Sequence, residues 1–239
     1  MKLNEGPRVI SIICARGGSK GLPRKNLLTI DGEALISRAV RHAKEANVSE
    51  IILVSTDSKE IANAAIKAGA IVPFLRPPEL SDDLATTEET LRHALISYEA
   101  LVGKKFDICV FLTATDIFRS PEWITKAVGV LRDRPEIESV FVGFRTHKNF
   151  WEKDRFGQWV RLRSWMSVYS SRQIRQFVVR EDTGLACASR SWLWRQGRRI
   201  GDRVEILVID DDFTSIDIHC EDDLKLAQAA LNIRKNASK

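Results

Sequence analysis

The sequence predicts an α/β fold, a mostly parallel sheet with helices on both faces, on two observations. Short β-branched runs alternate with helical patterns through the first half of the 239-residue chain, as strands joined by crossover helices do. Several of those runs, such as Ile51-Ile52-Leu53-Val54, are apolar at every position, which is the pattern of strands covered on both faces.

In order, strands are expected over 9–14, 51–55, 71–74 and 108–112, separated by helices over 35–46, 59–68 and 88–102. Ser120 and Pro121 supply a cap and a first-turn proline for the next helix. A strand follows over 139–144. The rhythm then breaks at Arg145 and resumes near Leu185, leaving a stretch too long for a simple connection. We read residues 145–184 as an inserted arm. A strand over 204–209, an acidic turn at Asp210–Asp212 and a helix over 221–233 close a single domain spanning 1–239.

With 44% hydrophobic and 29% charged residues, the chain has the means to bury a core and lacks the composition of disorder. Its apolar runs are too short to span a membrane, and Met1–Arg8 lacks the layout of a signal peptide. A cytoplasmic protein with no membrane partner is expected. Cys14, Cys109, Cys187 and Cys220 show no paired spacing, so buried free thiols are expected rather than a zinc site. The net charge of +5 favours an anionic partner. Ten arginines fall between Arg161 and Arg203 against three acids, and five of six tryptophans fall between Trp151 and Trp194, so the arm has a job of its own.

Directly after the first predicted strand, residues 15–26 read A-R-G-G-S-K-G-L-P-R-K-N. Gly17, Gly18 and Gly21 let the backbone approach an anion closely, while Arg16, Lys20, Arg24 and Lys25 place four cations in ten residues with no acid among them. Such a loop suits a polyphosphate. No Ser or Thr follows the lysine and the glycines do not fit G-x-G-x-x-G, so neither a P-loop nor a dinucleotide fold is indicated.

This segment resembles the signature of the acylneuraminate cytidylyltransferases, A-R-G-G-S-K-G-x-P-x-K-N, at every fixed position. The similarity runs on through R-P-P-E-L-S-D-D at 76–83 and D-I-H-C-E-D-D-L at 217–224. It implies a nucleotide-diphosphate-sugar transferase fold of Rossmann-like type, a magnesium-assisted reaction, a homodimer formed through the arm, and CTP and an acidic nine-carbon sugar as substrates. The sugar would be of the sialic, legionaminic or pseudaminic type. Carried over, the resemblance makes Arg16, Ser19 and Lys20, with the amides of Gly17 and Gly18, contacts to the CTP phosphates. It places Lys25 beside the reacting α-phosphate and Asn26 close to the nucleotide. Arg76 and Thr87 fall where the family recognises the base, although from the residues alone Arg76 reads as an exposed loop arginine.

Two departures stand out. Where the family has Q-P-T-S-P-L-R, this chain has T-A-T-D-I-F-R at 113–119. Thr113 and Thr115 then take the acceptor positions, and Asp116 is either a turn residue or a carboxylate brought near the nucleotide. Where the family has D-I-D, this chain has Asp217-Ile218-His219. Asp217 is a good hard-oxygen ligand for magnesium, whereas imidazole suits softer metals. One carboxylate suffices, or Asp116 helps, or His219 takes another role. The general base is open between His219 and a metal-bound hydroxide. Asp210–Asp212 reads as a solvated turn.

In the arm, Trp151, Trp159, Trp165 and Tyr169 are candidate interface anchors, and Arg172, Arg175 and Arg180 suit the sugar carboxylate. The alternative is a strand pair packed on its own domain. Within the fold, a 3-deoxy-octulosonate enzyme or another sugar nucleotidyltransferase is the rival reading. A nucleic-acid binder using the Arg- and Trp-rich arm is a rival of another class, and no nucleic-acid partner is expected because the arm carries no recognisable module.

Overall fold

The computed structural model describes residues 6–237. Along the chain run β1 (Val9–Cys14), β2 (Thr29–Ile30), β3 (Glu33–Ala34), α1 (Leu35–Ala46), β4 (Ile51–Ser55), α2 (Lys59–Ala68), α3 (Thr87–Val102), β5 (Ile108–Thr113) and α4 (Pro121–Asp133). There follow β6 (Ser139–Thr146), β7 (Trp151–Lys153), β8 (Trp159–Arg161), β9 (Val178–Glu181), β10 (Cys187–Arg190), α5 (Ser191–Arg195), β11 (Val204–Ile209) and α6 (Glu221–Ala237).

The main sheet has the order β11-β6-β10-β5-β1-β4, with β9 added to β6. β1 is parallel to β4 and β5, β11 is parallel to β6, and β10 lies antiparallel between β5 and β6. The carboxyl ends of β1, β4, β5, β6 and β11 therefore share one edge of the sheet, where ligands collect in folds of this kind.

Alternation within β1 sorts its side chains between two cores. Val9 and Ile13 join Ile36 and Val40 of α1, Ile124 and Val128 of α4, and Ala227 and Ala230 of α6. Ile10 and Ile12 join Leu91 and Leu95 of α3 and Leu193 and Trp194 of α5. Both faces are covered, which is why the strands read as continuous apolar runs. Local signals set the helix ends. Thr86 and Glu89 form a reciprocal capping box at the start of α3, a device contributing about 1 kcal/mol. Ser58 caps α2, and Gly69 closes it at φ 104°.

The predicted strand at 71–74 is reduced to one bridge between Ile71 and Leu53. Pro73 has no N–H to continue the ladder, so pairing stops there. At the arm, β6 runs on past Arg145 to Thr146, and β9 pairs with it from Val178. The excursion outside the sheet is thus shorter than the predicted 145–184. Cys109 and Cys187 are buried free thiols as expected and Cys14 is partly so, but Cys220 is exposed at the mouth of α6.

Candidate active site

The glycine-rich loop leaves β1 and is clamped from two sides. The Gly17 amide donates to Asp57 Oδ1 at 2.8 Å, and a Cβ on Gly17 would sit 3.0 Å from Ser58 Cβ. On the other side, a Cβ on Gly21 would sit 2.7 Å from the carbonyl oxygen of His219. Only glycines let the loop fit between the end of β4 and the segment 217–219. Asn26, buried, donates from Nδ2 to the Arg16 carbonyl at 2.9 Å and so braces the loop from below.

The loop borders a cavity of about 350 Å³ lined by Arg16, Ser19, Lys20, Lys25, Asn26 and Thr115, among others. A Cβ on Gly18 would meet nothing in the protein. Arg24 turns away to Glu60 at 2.9 Å, so three of the four cations of the loop face the cavity. Burial holds the Lys25 ammonium below the ordinary lysine range, with Asp217 opposing that shift. Arg16 lies 3.1 Å from Asp83 Oδ1, and Lys20 pairs with the same carboxylate. Asp83 is a counter-ion that reading the loop by itself did not reveal.

Arg76 is only 7% exposed, which overturns the exposed-loop reading. Its Nη1 donates to Thr90 Oγ1 at 3.3 Å, while Nε and Nη2 are buried without a hydrogen-bond partner. A buried guanidinium with two donors to spare is costly unless something completes it.

Beside the first cavity, and sharing Thr113 with it, lies a second of about 400 Å³ lined by Thr87, Asp116, Arg180, Gly184, Arg199 and Asp217, among others. Thr113 donates its hydroxyl to Asp116 Oδ2, and the Asp116 amide returns a bond of 3.3 Å to Thr113 Oγ1. Burial, and next the charge of Asp217, push the Asp116 carboxyl up to about 6. Asp217 Oδ1 is buried with no hydrogen-bond partner, while its Oδ2 lies 2.8 Å from His219 Nε2. Two carboxylates from different loops thus converge. Among the described residues no cluster of three or more His, Cys, Asp or Glu side chains gathers to hold a metal. Magnesium does not need one: it keeps several waters and takes one or two carboxylates plus phosphate oxygens. The orphaned Asp217 oxygen and the facing Asp116 fit that demand. His219, largely exposed, sets its Nε2 against Asp217.

Asp210–Asp212 is not part of the site. Asp211 caps a short turn of helix and pairs with Arg234, and Asp210 lies 3.5 Å from Arg145. Arg119 is buried and clasps the carbonyls of Leu185 and Gly184 at 2.5 Å and Thr113 at 2.6 Å. Arg180 stands at the second cavity with Asp182 2.8 Å away, whereas Arg172 is exposed on the arm and lines neither cavity. Arg175 is spent within the arm, on Asn149 and over the Tyr169 ring.

The sequence pattern of the family described as Cytidylyltransferase matches residues 10–183, which take in the loop, Arg76, Thr87 and Asp116. The chain belongs to the cytidylyltransferase family. Relatives of the chain include the CMP-N,N'-diacetyllegionaminic acid synthase of Legionella pneumophila, 38% identical over 52% of this chain and 53% of that protein. The N-acylneuraminate cytidylyltransferase A of Danio rerio is 33% identical over 64% of this chain and 34% of that protein. The match to the curated relatives thus spans about half their length or less. Among solved structures, a CMP:2-keto-3-deoxy-manno-octonic acid synthetase complexed with CTP shares the fold at a TM-score of 0.66 and 16% identity, over 95% of this chain and 99% of that one. The chain shares with that structure a mixed, mostly parallel sheet with flanking helices. No helix among the described residues is long and apolar enough to cross a membrane.

Proposed function

We propose that the chain transfers CMP from CTP to a nine-carbon 2-keto-3-deoxy sugar acid, of the kind the relatives' names point to, and releases pyrophosphate. The observation that carries this reading is the pair of cavities meeting at Thr113, one bordered by the cationic loop and the other by Asp116 and Asp217. A triphosphate needs the first and an acceptor hydroxyl needs the second, with the reacting phosphorus between them.

In this reading Arg16, Ser19 and Lys20, with the amides of Gly17 and Gly18, hold the β- and γ-phosphates, and Asn26 stands against the nucleotide. Arg76 offers its two spare donors to the acceptor edge of the pyrimidine, whereas Thr87, expected beside it, lines the second cavity and falls to the acceptor. Lys25 faces the α-phosphate and steadies the charge that grows there and on the departing pyrophosphate. Magnesium, held by Asp217 and Asp116, would neutralise the same oxygens when bound. His219 fixes the Asp217 carboxylate and is a positioning residue. Thr113, shared by the two cavities, borders the acceptor, Thr115 lines the triphosphate cavity instead, and Arg180 meets the acceptor at the rim.

The arm supports a homodimer. Phe156, Trp159, Tyr169 and Ile174 are largely exposed and Trp151 partly so, while Trp165 is half-buried and Met166 anchors the arm from within. Aromatic side chains concentrated on a surface excursion mark an association face. In such a pair, Arg172 reaches an acceptor cavity only in the partner, as a second cation for the sugar.

The test is pyrophosphate release from CTP and magnesium with N-acetylneuraminate, legionaminate, pseudaminate and 3-deoxy-octulosonate in parallel, with Lys25→Ala as control. Turnover of a nine-carbon acid that the control abolishes supports the reading. Preference for the octulosonate moves the protein to another branch of the fold, and no turnover with any acid overturns the assignment.

A further inference from the structure

Arg199 plays no part in the reading above, and the sequence set it apart in no way from the other arginines between residues 161 and 203. The structure does. Its backbone is pinned: Ser189 Oγ and the indole Nε1 of the buried Trp194 both donate to the Arg199 carbonyl, at 2.6 and 3.2 Å. From there the side chain, 21% exposed, reaches the second cavity and lies with its guanidinium carbon 5.2 Å from the centre of the Phe111 ring.

Its charge meets two carboxylates where it stands, but neither of them closely. Glu88 from the first turn of α3 and Glu181 at the end of β9 approach only to 3.5 Å, and the buried Nε makes no hydrogen bond. A guanidinium that meets a carboxylate well does so through two parallel bonds of about 2.8 Å. Arg180, by contrast, already makes such a pair with Asp182, through Nε and Nη2 at 2.8 and 2.9 Å.

Position matches charge. Phe111 and Thr113 lie two residues apart on the same face of β5, about 7 Å along the strand. Arg199 stands over the first, and Asp116 is bonded to the second. In a 2-keto-3-deoxy acid, the attacking hydroxyl and the carboxylate share one carbon. An acceptor whose carboxylate lies on Arg199 therefore turns its hydroxyl toward the Asp116 and Asp217 end, where the nucleotide's α-phosphate belongs.

We propose that Arg199 recognises the acceptor's carboxylate, in the cavity bounded by Phe111, Thr113 and Thr87, and so sets the preference for an acidic sugar. The inference rests on the sugar-acid reading above. The experiment compares each of the four acids named there with its carboxamide, in wild type, Arg199→Gln and Arg199→Lys, with folding checked by circular dichroism. Wild type is expected to favour the acid about a hundredfold in kcat/KM, the scale of losing one partner of a buried charge pair. In Arg199→Gln the KM for the acid rises, the preference collapses to about threefold or less, and the KM for CTP stays within about twofold. Arg199→Lys, which keeps the charge without the fork, falls between. An active Arg199→Gln with the wild-type ratio overturns the proposal, and if that variant does not fold, an unchanged ratio in Arg199→Lys does so. Wild type that takes acid and amide alike overturns it too. Wild type that turns over no acid sugar overturns the functional reading itself and this inference with it.

Discussion

The Asp83 carboxylate stands 3.1 Å from the Arg16 guanidinium and also holds Lys20. It occupies, from within the chain, two of the cations that the proposed triphosphate needs, while Arg16 Nη1 bonds the Asp82 carbonyl at 3.0 Å. Binding CTP then means exchanging one anion for another. Asp83→Asn should lower the dissociation constant for CTP about threefold, the scale of an exposed ion pair. Titration calorimetry with CTP in wild type and variant checks this. Weaker binding in the variant would show instead that Asp83 holds Arg16 in place for the nucleotide.

Lys25 is held below the ordinary lysine range, first by burial. It therefore gives up its charge at a lower pH than a free lysine in the unliganded protein, and the alkaline limb of kcat/KM should fall early. Arginine does not titrate in that range, so Lys25→Arg should move the alkaline limb upward even if its maximum is lower. Lys25→Ala should cost about 10²- to 10³-fold in kcat, as losing one charge-stabilising donor does. The pH profiles of kcat/KM in wild type and Lys25→Arg decide, and superimposable alkaline limbs would remove Lys25 from the rate-controlling ionisation.

Much of the fold was legible because its signals are local. The apolar run at 51–55 and Ser120-Pro121 before α4 each act within a turn of where they lie. The loop at 15–26 was legible for the same reason, its glycines and cations being consecutive. The return of the chain as β9 and β10 was not, since between Gly143 and Phe141 of β6 the opposing chain runs from Glu181 all the way to Cys187. No periodicity announces a bulge of that width. The pairing of Asp116 with Asp217 was open for a like reason: the two come from loops after different strands, and only the closed sheet brings them together. Asp83 and Arg199 escaped notice because a charge in a loop looks solvated until its neighbours are known.

His42 carries a pH prediction separate from the site. Burial first, then the charge of Arg119, depress its imidazole from 6.5 to about 3. Above 6.5 both the folded and the unfolded chain hold it neutral. As pH falls from 6.5 toward 3 the unfolded chain takes up a proton that the folded one refuses, so stability is lost across that window. The loss attributable to this group reaches on the order of a few kcal/mol at pH 3. His42→Gln should flatten the acid limb of stability between pH 6.5 and 4, measured as urea midpoints. An acid limb identical to wild type would mean that the imidazole is not the group that titrates.

Gly184 bears most directly on the geometry of the carboxylates. A Cβ at this position would run into Asp116 Oδ2 and lie 2.9 Å from Thr113 Cγ2. Its φ is not in the left-handed region, so an alanine there is strained by contact and not by backbone conformation. Neither neighbour yields cheaply, because Thr113 is fixed in β5 and the half-buried Asp116 is tied to Thr113 by two hydrogen bonds. Gly184→Ala should therefore push the Asp116 carboxylate off Thr113 and away from Asp217, at a stability cost of about 1–3 kcal/mol, typical of overpacking. Affinity for manganese, followed by its electron paramagnetic resonance in the absence of nucleotide, should fall about tenfold or more if Asp116 and Asp217 share the ion. Asp116→Asn keeps the shape and removes the charge, and should give the same loss without the stability cost. Unchanged manganese binding in both variants would leave Asp217 to hold the ion with phosphate oxygens alone, and would make Asp116 a structural partner of Thr113.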